Sequence, residues 1–563
     1  MLTLLSFAAL LAPQAQAPSA ADFMPADTFL YLETSLEPFD RLGDQTIAYK
    51  LFEKGDVAEA LAPLKSEMDQ QLDALSMELG FDLGSLIGGS KFSIGFTWDA
   101  ALNQGGWLPV AAELDPSIAE NVKLDALLNQ TGIGNWWQGG NLVIGVLHTD
   151  EFEQMGQAPA PVDANNEPTP LRQEGAAFLQ KMLHAAAGPN GGGMTGLESW
   201  KTMAAACRSK DDVFGAWLMM DHFSRERVEE VIGEEIPAEI VQMFEVLDLD
   251  KFGGFAWTTS VRPPMLEDRM YFYGPGMMRK YFPANITEAA NVPELMKLLP
   301  HDSYQTMMFV ANFPQFGEDM KTIIDLALQL GEEEMPEEAA GIMDMVFALL
   351  SETGPVFLTN TRADDYDRGL PGDFWLQAAN PEKVTEILQG GLPDGLADAL
   401  AEGMMFGPGT PEVLLTVRGN RLTVFESVAQ PSTQRLGDQA EFRAAAELFA
   451  RFPVTQVYGA EYLSKDMLVE AFSVLRSDGN ALLDAISEDI PLDMSMLPDH
   501  AVVNALMQSS ATVSLVTEHG FYSEGQAPFG RIATHLLVRV PPALKMLETF
   551  GVLSSGGFEE EEF

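Results

Sequence analysis

This chain is short of the residues from which familiar catalytic and metal centres are built. Its 563 residues include a single cysteine, Cys207. One thiol excludes an intramolecular disulfide and a zinc site of several thiolates. Cys207 follows the apolar residues Met203, Ala204, Ala205 and Ala206, a setting for a small buried side chain rather than a nucleophile. The histidines are His148, His184, His222, His301, His500, His519 and His535. No two of them lie two, three or four apart, so no helix can offer zinc a histidine pair. The Gly-x-Ser-x-Gly turn of serine hydrolases is missing. The Gly-rich stretch 188–196 lacks the Lys-Ser/Thr ending and the preceding strand that a phosphate loop needs, and a linker explains it.

Positive charge is also scarce. Lys and Arg total 33 against 83 Asp and Glu, a formal net charge of -50. Such a surface repels nucleic-acid phosphates and anionic lipid heads, and no basic cluster exists to bind either. Nucleic acid is therefore excluded as a partner. Scattered acidic residues fit a well-hydrated surface. No apolar run beyond the amino terminus reaches about 18 residues, which predicts no stable membrane insertion.

What is present reads as a folded protein: 46% hydrophobic and 21% charged residues. The length exceeds one compact core, so several domains are expected. Residues 2–12 are apolar and are followed by Ala15, Gln16, Ala17, Ser19, Ala20 and Ala21. This pattern predicts a secretory signal peptide over residues 1–21, cut after Ala20 or Ala21. Its unusual feature is the absence of Lys or Arg before Arg41. The expectation is an exported, soluble protein, periplasmic or secreted.

The residues Pro25, Ala26, Asp27 and Thr28 form a turn that feeds a strand, and Pro300, His301, Asp302 and Ser303 repeat it. Further blocks recur in the same order. Residues 85–98 match 351–359 as a turn and strand. Asp115-Pro116 matches Asn380-Pro381 as a strand running into an Asx-capped helix with Pro at its first position. The hairpin at 135–146 matches the one at 413–425, whose Gly419-Asn420 is a two-residue turn signal. Residues 214–221 match 458–464. A strand pair at 252–273 finds its counterpart in 502–507, 512–516 and 520–522. Val57, Leu61, Leu64, Met68, Leu72, Leu75 and Leu79 form one helical stripe.

The shared order predicts a duplication: an α+β protein of two similar tandem domains, each a curved antiparallel sheet with helices packed on one face. Each half reads βαββαββαβαββ. The predicted boundaries are 22–290 for the first repeat, with a Pro/Gly-rich insertion near 156–196, 291–552 for the second, and 553–563 for a disordered acidic tail.

Asp364, Asp365 and Asp367 make the densest oxygen cluster in an expected loop and are the metal candidates, for calcium. EF-hand spacing fails and Arg362 and Arg368 compete for the carboxylates, so an exposed turn explains them too. No other cofactor and no catalytic residue is predicted. Methionine is abundant, 29 in all, with pairs at 219–220, 277–278, 307–308 and 404–405. Neighbours in a strand point to opposite faces, so the pairs fit core filling rather than a copper cluster.

A Pro-x-Asp-Thr turn into a strand after a signal peptide, repeated once, with an Asx-Pro helix in each half, resembles large exported bacterial proteins of unknown function. The resemblance implies an exported location and carries no activity or site. The functional expectation is an exported, non-catalytic binding or structural protein whose partner is another protein or an apolar small molecule. A hydrolase with carboxylates assembled across the fold, and a carrier of apolar ligands, are the alternatives.

Overall fold

The computed structural model describes residues 19–549 except 55–61, 63–65, 67–68, 75, 78–81, 99–105, 120–134, 149–169, 188–192, 222–228, 230–234, 284–290, 332–334, 369–371, 391–415, 428, 430–431 and 487–492. The signal segment up to residue 18, most of the 57–79 stripe, residues 156–169 and 188–192 of the 156–196 insertion and the acidic tail lie outside the described residues, and the insertion's middle is the helix Pro170–Ala187. The protein is mixed helix and strand with a large antiparallel sheet. It divides into two compact units. One comprises Met1–Glu37, Gln70–Lys201 and Ala216–His222; the other comprises Pro38–Asp69, Thr202–Gly215 and Phe223–Phe563. This division does not follow the boundary near residue 290 expected from the repeat.

The first unit carries strands β1 (Thr28–Ser35), β2 (Lys91–Thr97), β3 (Trp107–Glu113), β4 (Asn135–Gly139) and β5 (Leu142–His148). They pair antiparallel as β1 with β2, β2 with β3, β3 with β5, and β5 with β4. Residues 142–147 of β5 form an unbroken apolar run and are all buried, as is His148 at the strand's end. Tyr31 packs among Trp200 and Trp217, with ring centroids at 5.5 and 5.6 Å. Strand β6 (Asp212–Met219) lies across the division between the units.

The second unit carries β7 (Gly254–Arg262), β8 (Met265–Tyr273), β9 (Ser303–Val310), β10 (Thr353–Arg362), β11 (Asp373–Ala378), β12 (Thr416–Arg418), β13 (Arg421–Phe425), β14 (Val457–Leu463), β15 (Ser510–Thr517) and β16 (Gly520–Ala527). Here β9 pairs with β10, β10 with β11, β11 with β13, and β13 with β12, the same order of pairing as in the first unit. The hairpin of β15 and β16 likewise matches that of β7 and β8. Gly419 turns the β12–β13 hairpin with φ of +61°, which a residue without Cβ adopts freely. Strand β16 pairs antiparallel with β8, Glu524 opposite Arg269.

The same local bonds hold both strand-opening turns. Thr28 N–H donates to Pro25 O at 3.1 Å and Ser303 N–H to Pro300 O at 3.3 Å. Asp27 O accepts from Trp98 N–H and Asp302 O from Ala363 N–H, each at 3.2 Å. Met194 N–H reaches Met24 O at 2.9 Å, and Leu436 N–H reaches Leu299 O at 2.7 Å. The first approach needs Gly193, because a Cβ there would sit 2.3 Å from Met24 O. That accounts for one glycine of the 188–196 run.

Some local expectations change. Residues 502–507 were expected to extend; instead His500–Leu506 is a helix, and the strand is β15. The Asp499 carboxylate accepts from Val502 N–H at 2.9 Å and starts that helix, and a cap outweighs the β-branched pair Val502 and Val503. Ala20 and Ala21 are fully buried in a short 3₁₀ turn, Ala20–Phe23, and Ala20 N–H donates to Glu113 Oε1 at 2.9 Å. The cleavage position expected after Ala20 or Ala21 falls inside this turn. Met307 is exposed and Met308 buried in β9, as strand alternation dictates.

Candidate functional site

The site is built around the paired strands β8 and β16, entirely within the second unit. Alternation along β8 sends Glu267 and Arg269 to one face and Asp268 to the other. Asp268 serves the fold: its Oδ1 accepts from Trp257 Nε1 at 3.1 Å and from Thr259 Oγ1 at 2.5 Å, and its Oδ2 accepts from Arg531 N–H at the start of the helix Arg531–Thr549. A carboxylate at a helix amino terminus is favoured by the exposed N–H groups there.

On the opposite face lies a cavity of about 1140 Å³. Its floor is charged: Glu267 and Arg269 from β8, Glu524 and Gln526 from β16. Arg262, Met265 and the two prolines between them form one wall, and the helix Ala440–Ala446 with Arg451 and Phe452 forms another. Lys465, at the start of the helix Lys465–Ile486, and Met507 complete it.

The two floor glutamates are buried and fully engaged. Glu267 accepts from Arg269 Nη2 and, at 3.0 Å, from Gln526 Nε2. Glu524 accepts from Arg451 Nη1 at 2.8 Å and from the Tyr522 hydroxyl at 2.7 Å. Arg451 also stands 3.6 Å from Glu267 Oε2, so one guanidinium bridges both acids. Removing any partner would strand a buried charge, which costs several kcal/mol. Burial pushes the Tyr522 hydroxyl far above its ordinary range, and the Glu524 charge and hydrogen bond push it further. Burial works against the Arg269 guanidinium, but Glu267, with Tyr522, Glu524 and Asp212 behind it, keeps it above the usual arginine value. Arg262 is anchored from behind: its Nη1 donates to Asp211 Oδ2 at 2.6 Å and its Nη2 to Ser209 Oγ at 2.9 Å. Arg41 Nη2 donates to the other Asp211 oxygen at 2.7 Å. Burial opposes the Asp211 charge, yet Arg41 and Arg262 hold its carboxyl below the usual range.

The calcium candidates fare differently from one another. Asp364 is exposed in the short helix Ala363–Arg368. Asp365 is fully buried and accepts from Arg362 N–H at 3.2 Å and Ser427 Oγ at 2.7 Å. Asp367 belongs to the same helix, and its side chain lies outside the described residues. Asp364 and Asp365 thus take opposite environments. Nearby Asp373 is pushed up by burial, against the bonds from Ser427 and Asn360, with the Asp365 charge adding to the rise. Among the described residues no group of three or more His, Cys, Asp or Glu is placed to hold a metal ion.

Hydroxyl–histidine pairs do occur, without relay geometry. His301 Nδ1 is 2.9 Å from Ser432 Oγ and 3.7 Å from Asp302 Oδ1, so one nitrogen faces both groups. A serine triad needs them on opposite nitrogens. Cys207 is buried, and burial raises its thiol to about 12, which leaves it inert as a nucleophile.

Sequence reasoning missed Glu267, Arg269, Arg451, Lys465 and Glu524. The available signal was the charged run Glu267, Asp268 and Arg269 in the middle of an expected strand, where a buried strand normally carries no charge. No family model matches this chain, and no curated protein or solved structure matches it. No described helix is long and apolar enough to cross a membrane.

Proposed function

We propose that this is an exported, non-catalytic binding protein made of two similar α+β halves that arose by duplication, and that its ligand site is the cavity on β8 and β16. The reading of a duplication is supported by the matched pairing orders and by the repeated turn and carbonyl bonds. The anchoring of Ala20 favours processing ahead of Ser19 rather than after Ala21. The observation that carries the binding reading is a large cavity whose buried acids are all neutralised by fixed partners. Such a lining is preorganised to recognise, and neither buried glutamate is free to transfer a proton.

The test is native mass spectrometry of the protein purified without denaturation, alongside the Ala445→Trp variant, which fills part of the cavity. Retained ligand in the natural protein and its loss in the variant are the expected result. Equal occupancy in both sinks the assignment of the cavity. The hydrolase alternative is favoured by one observation, the convergence of Glu267 and Glu524 on Arg451. It requires turnover on a broad hydrolase panel that Glu524→Gln abolishes; the binding reading expects none.

A further inference from the structure

We propose that the cavity takes an amphiphilic monoanion, its carboxylate held between Arg451 and Lys465 and its apolar body against Met265, Phe452 and Met507. The proposal rests on the cavity being the ligand site and goes on to name the ligand's chemistry. It starts from charge. In the whole chain acids outnumber bases by 83 to 33. The cavity reverses that balance: Arg262, Arg269, Arg451 and Lys465 face Glu267, Glu441 and Glu524. The surplus is one positive charge, in a molecule whose surface repels anions.

The four bases are not equivalent. Arg269 is largely buried and committed to Glu267, and Arg262 is tied to Asp211 and Ser209. Arg451 is half exposed, at 49%, and spends one nitrogen on Glu524. Lys465 is half-buried, and among the described residues its ammonium makes no ion pair or hydrogen bond, although its backbone N–H donates to Ser509 Oγ at 3.0 Å. An unpaired ammonium and a half-used guanidinium lining one cavity supply a donor set for one carboxylate. A dianion such as phosphate would exceed the surplus charge and meet Glu441, Glu524 and Glu267 across the same space. Met265, Phe452 and Met507 add apolar surface to the same lining, and methionine adapts to bodies of varied shape. A headgroup without an apolar body would leave that surface wet.

Two sources share this chemistry, a free acyl carboxylate and the carboxyl end of an apolar peptide. The experiment is calorimetric titration of the full chain with octanoate and with N-acetyl-Leu-Leu, each against its carboxamide, and with inorganic phosphate as competitor. Binding of at least one carboxylate, about tenfold tighter than its amide and about tenfold weaker in Lys465→Glu, supports the proposal, and the better probe identifies the source. Lys465→Glu leaves the Glu267 and Glu524 pairs intact, so the test does not depend on an Arg451 variant that strands Glu524. If the amides bind as well as the acids and Ala445→Trp blocks both, the headgroup assignment falls while the cavity remains the ligand site. Displacement by phosphate at lower concentration than by carboxylate also overturns the headgroup assignment. If Ala445→Trp leaves binding unchanged, the cavity is not the site. If neither carboxylate binds more tightly than about 1 mM, the proposal is overturned.

Discussion

The two strand-opening turns share a backbone and differ in what their aspartates do. Around Asp27 and Asp302 the turn and carbonyl bonds agree within a few tenths of an ångström. The carboxylates then part. Asp27 meets Lys181 at 3.3 Å, and that lysine is 49% exposed. Asp302 is clasped by Arg362, whose Nε and Nη2 donate to its Oδ2 at 3.0 and 2.6 Å while Nη1 donates to Ala429 O at 3.0 Å. Arg362 is buried. One motif thus meets an exposed lysine at Asp27 and a buried arginine at Asp302. The lesson is that a turn sequence dictates backbone geometry, whereas the energetic weight of its side chain depends on what covers it.

The sharpest test of this contrast is a pair of truncations. Arg362→Ala removes the donor to a partly exposed Asp302 and frees the Ala429 carbonyl, and is expected to destabilise the second unit by about 1–3 kcal/mol. Lys181→Ala is expected to cost less than about 1 kcal/mol. Urea midpoints at unchanged slope read both; equal shifts would erase the distinction between the turns.

A second pair of sites sets a closed version of one device beside an open one. The Tyr31 hydroxyl stands 3.1 Å from Glu33 Oε2 and 3.0 Å from Ser93 Oγ, with Lys91 Nζ 2.7 Å from the same carboxylate. Tyr522, Glu524 and Arg451 repeat the Tyr-x-Glu-base arrangement at the cavity. Each Tyr→Phe change removes a bond to a buried carboxylate, worth about 1–3 kcal/mol. Tyr31→Phe is expected at the upper end, because indole rings close that site, and Tyr522→Phe at the lower end, because its partner Glu524 lines the cavity. Chemical denaturation orders the two, and a larger loss for Tyr522→Phe would contradict the openness of the site.

Alkali tests the burial of three tyrosines in the second unit. Burial raises Tyr522, Tyr462 and Tyr281, Tyr462 to about 12, from an ordinary phenol value near about 10. The folded state therefore holds these protons more tightly than the unfolded state. Their contribution to stability is complete below about pH 10 and is lost as pH rises toward the folded values. Phenolate absorbance that appears only together with unfolding is the expected signature; stepwise ionisation of the folded protein would count against the burial. The smallest contrast lies inside one helical turn. Asp364→Asn is expected to shift stability by no more than about 0.5 kcal/mol, as an exposed surface change, and Asp365→Asn by about 1–3 kcal/mol. A thermal scan in the presence and absence of calcium checks both, and a calcium-dependent difference at Asp364 would revive the metal assignment.

Much of the secondary structure was legible because it rests on neighbours in sequence. Gly419 needed only its own φ, Asn380 only the N–H of Lys383, which its side chain accepts at 3.3 Å, and β5 only its unbroken apolar run. Residues 502–507 misled because two valines speak for a strand while the deciding group, Asp499, stands outside the run. The cavity could not be read at all. Glu267 and Gln526 are 259 positions apart, and Arg451 reaches β16 from the short 3₁₀ turn Phe449–Arg451, whose sequence shows nothing unusual.

By itself the sequence determined the kinds of element, their order and its recurrence, the acidic surface and the inert cysteine. These follow from periodicity, turn chemistry and composition, which are properties of short stretches and of sums. Only the tertiary structure decided which charges are buried, which of two equivalent aspartates bears load, and where four of the few bases converge. Burial and ion pairing depend on distances between residues far apart in the chain, and no local pattern encodes those distances.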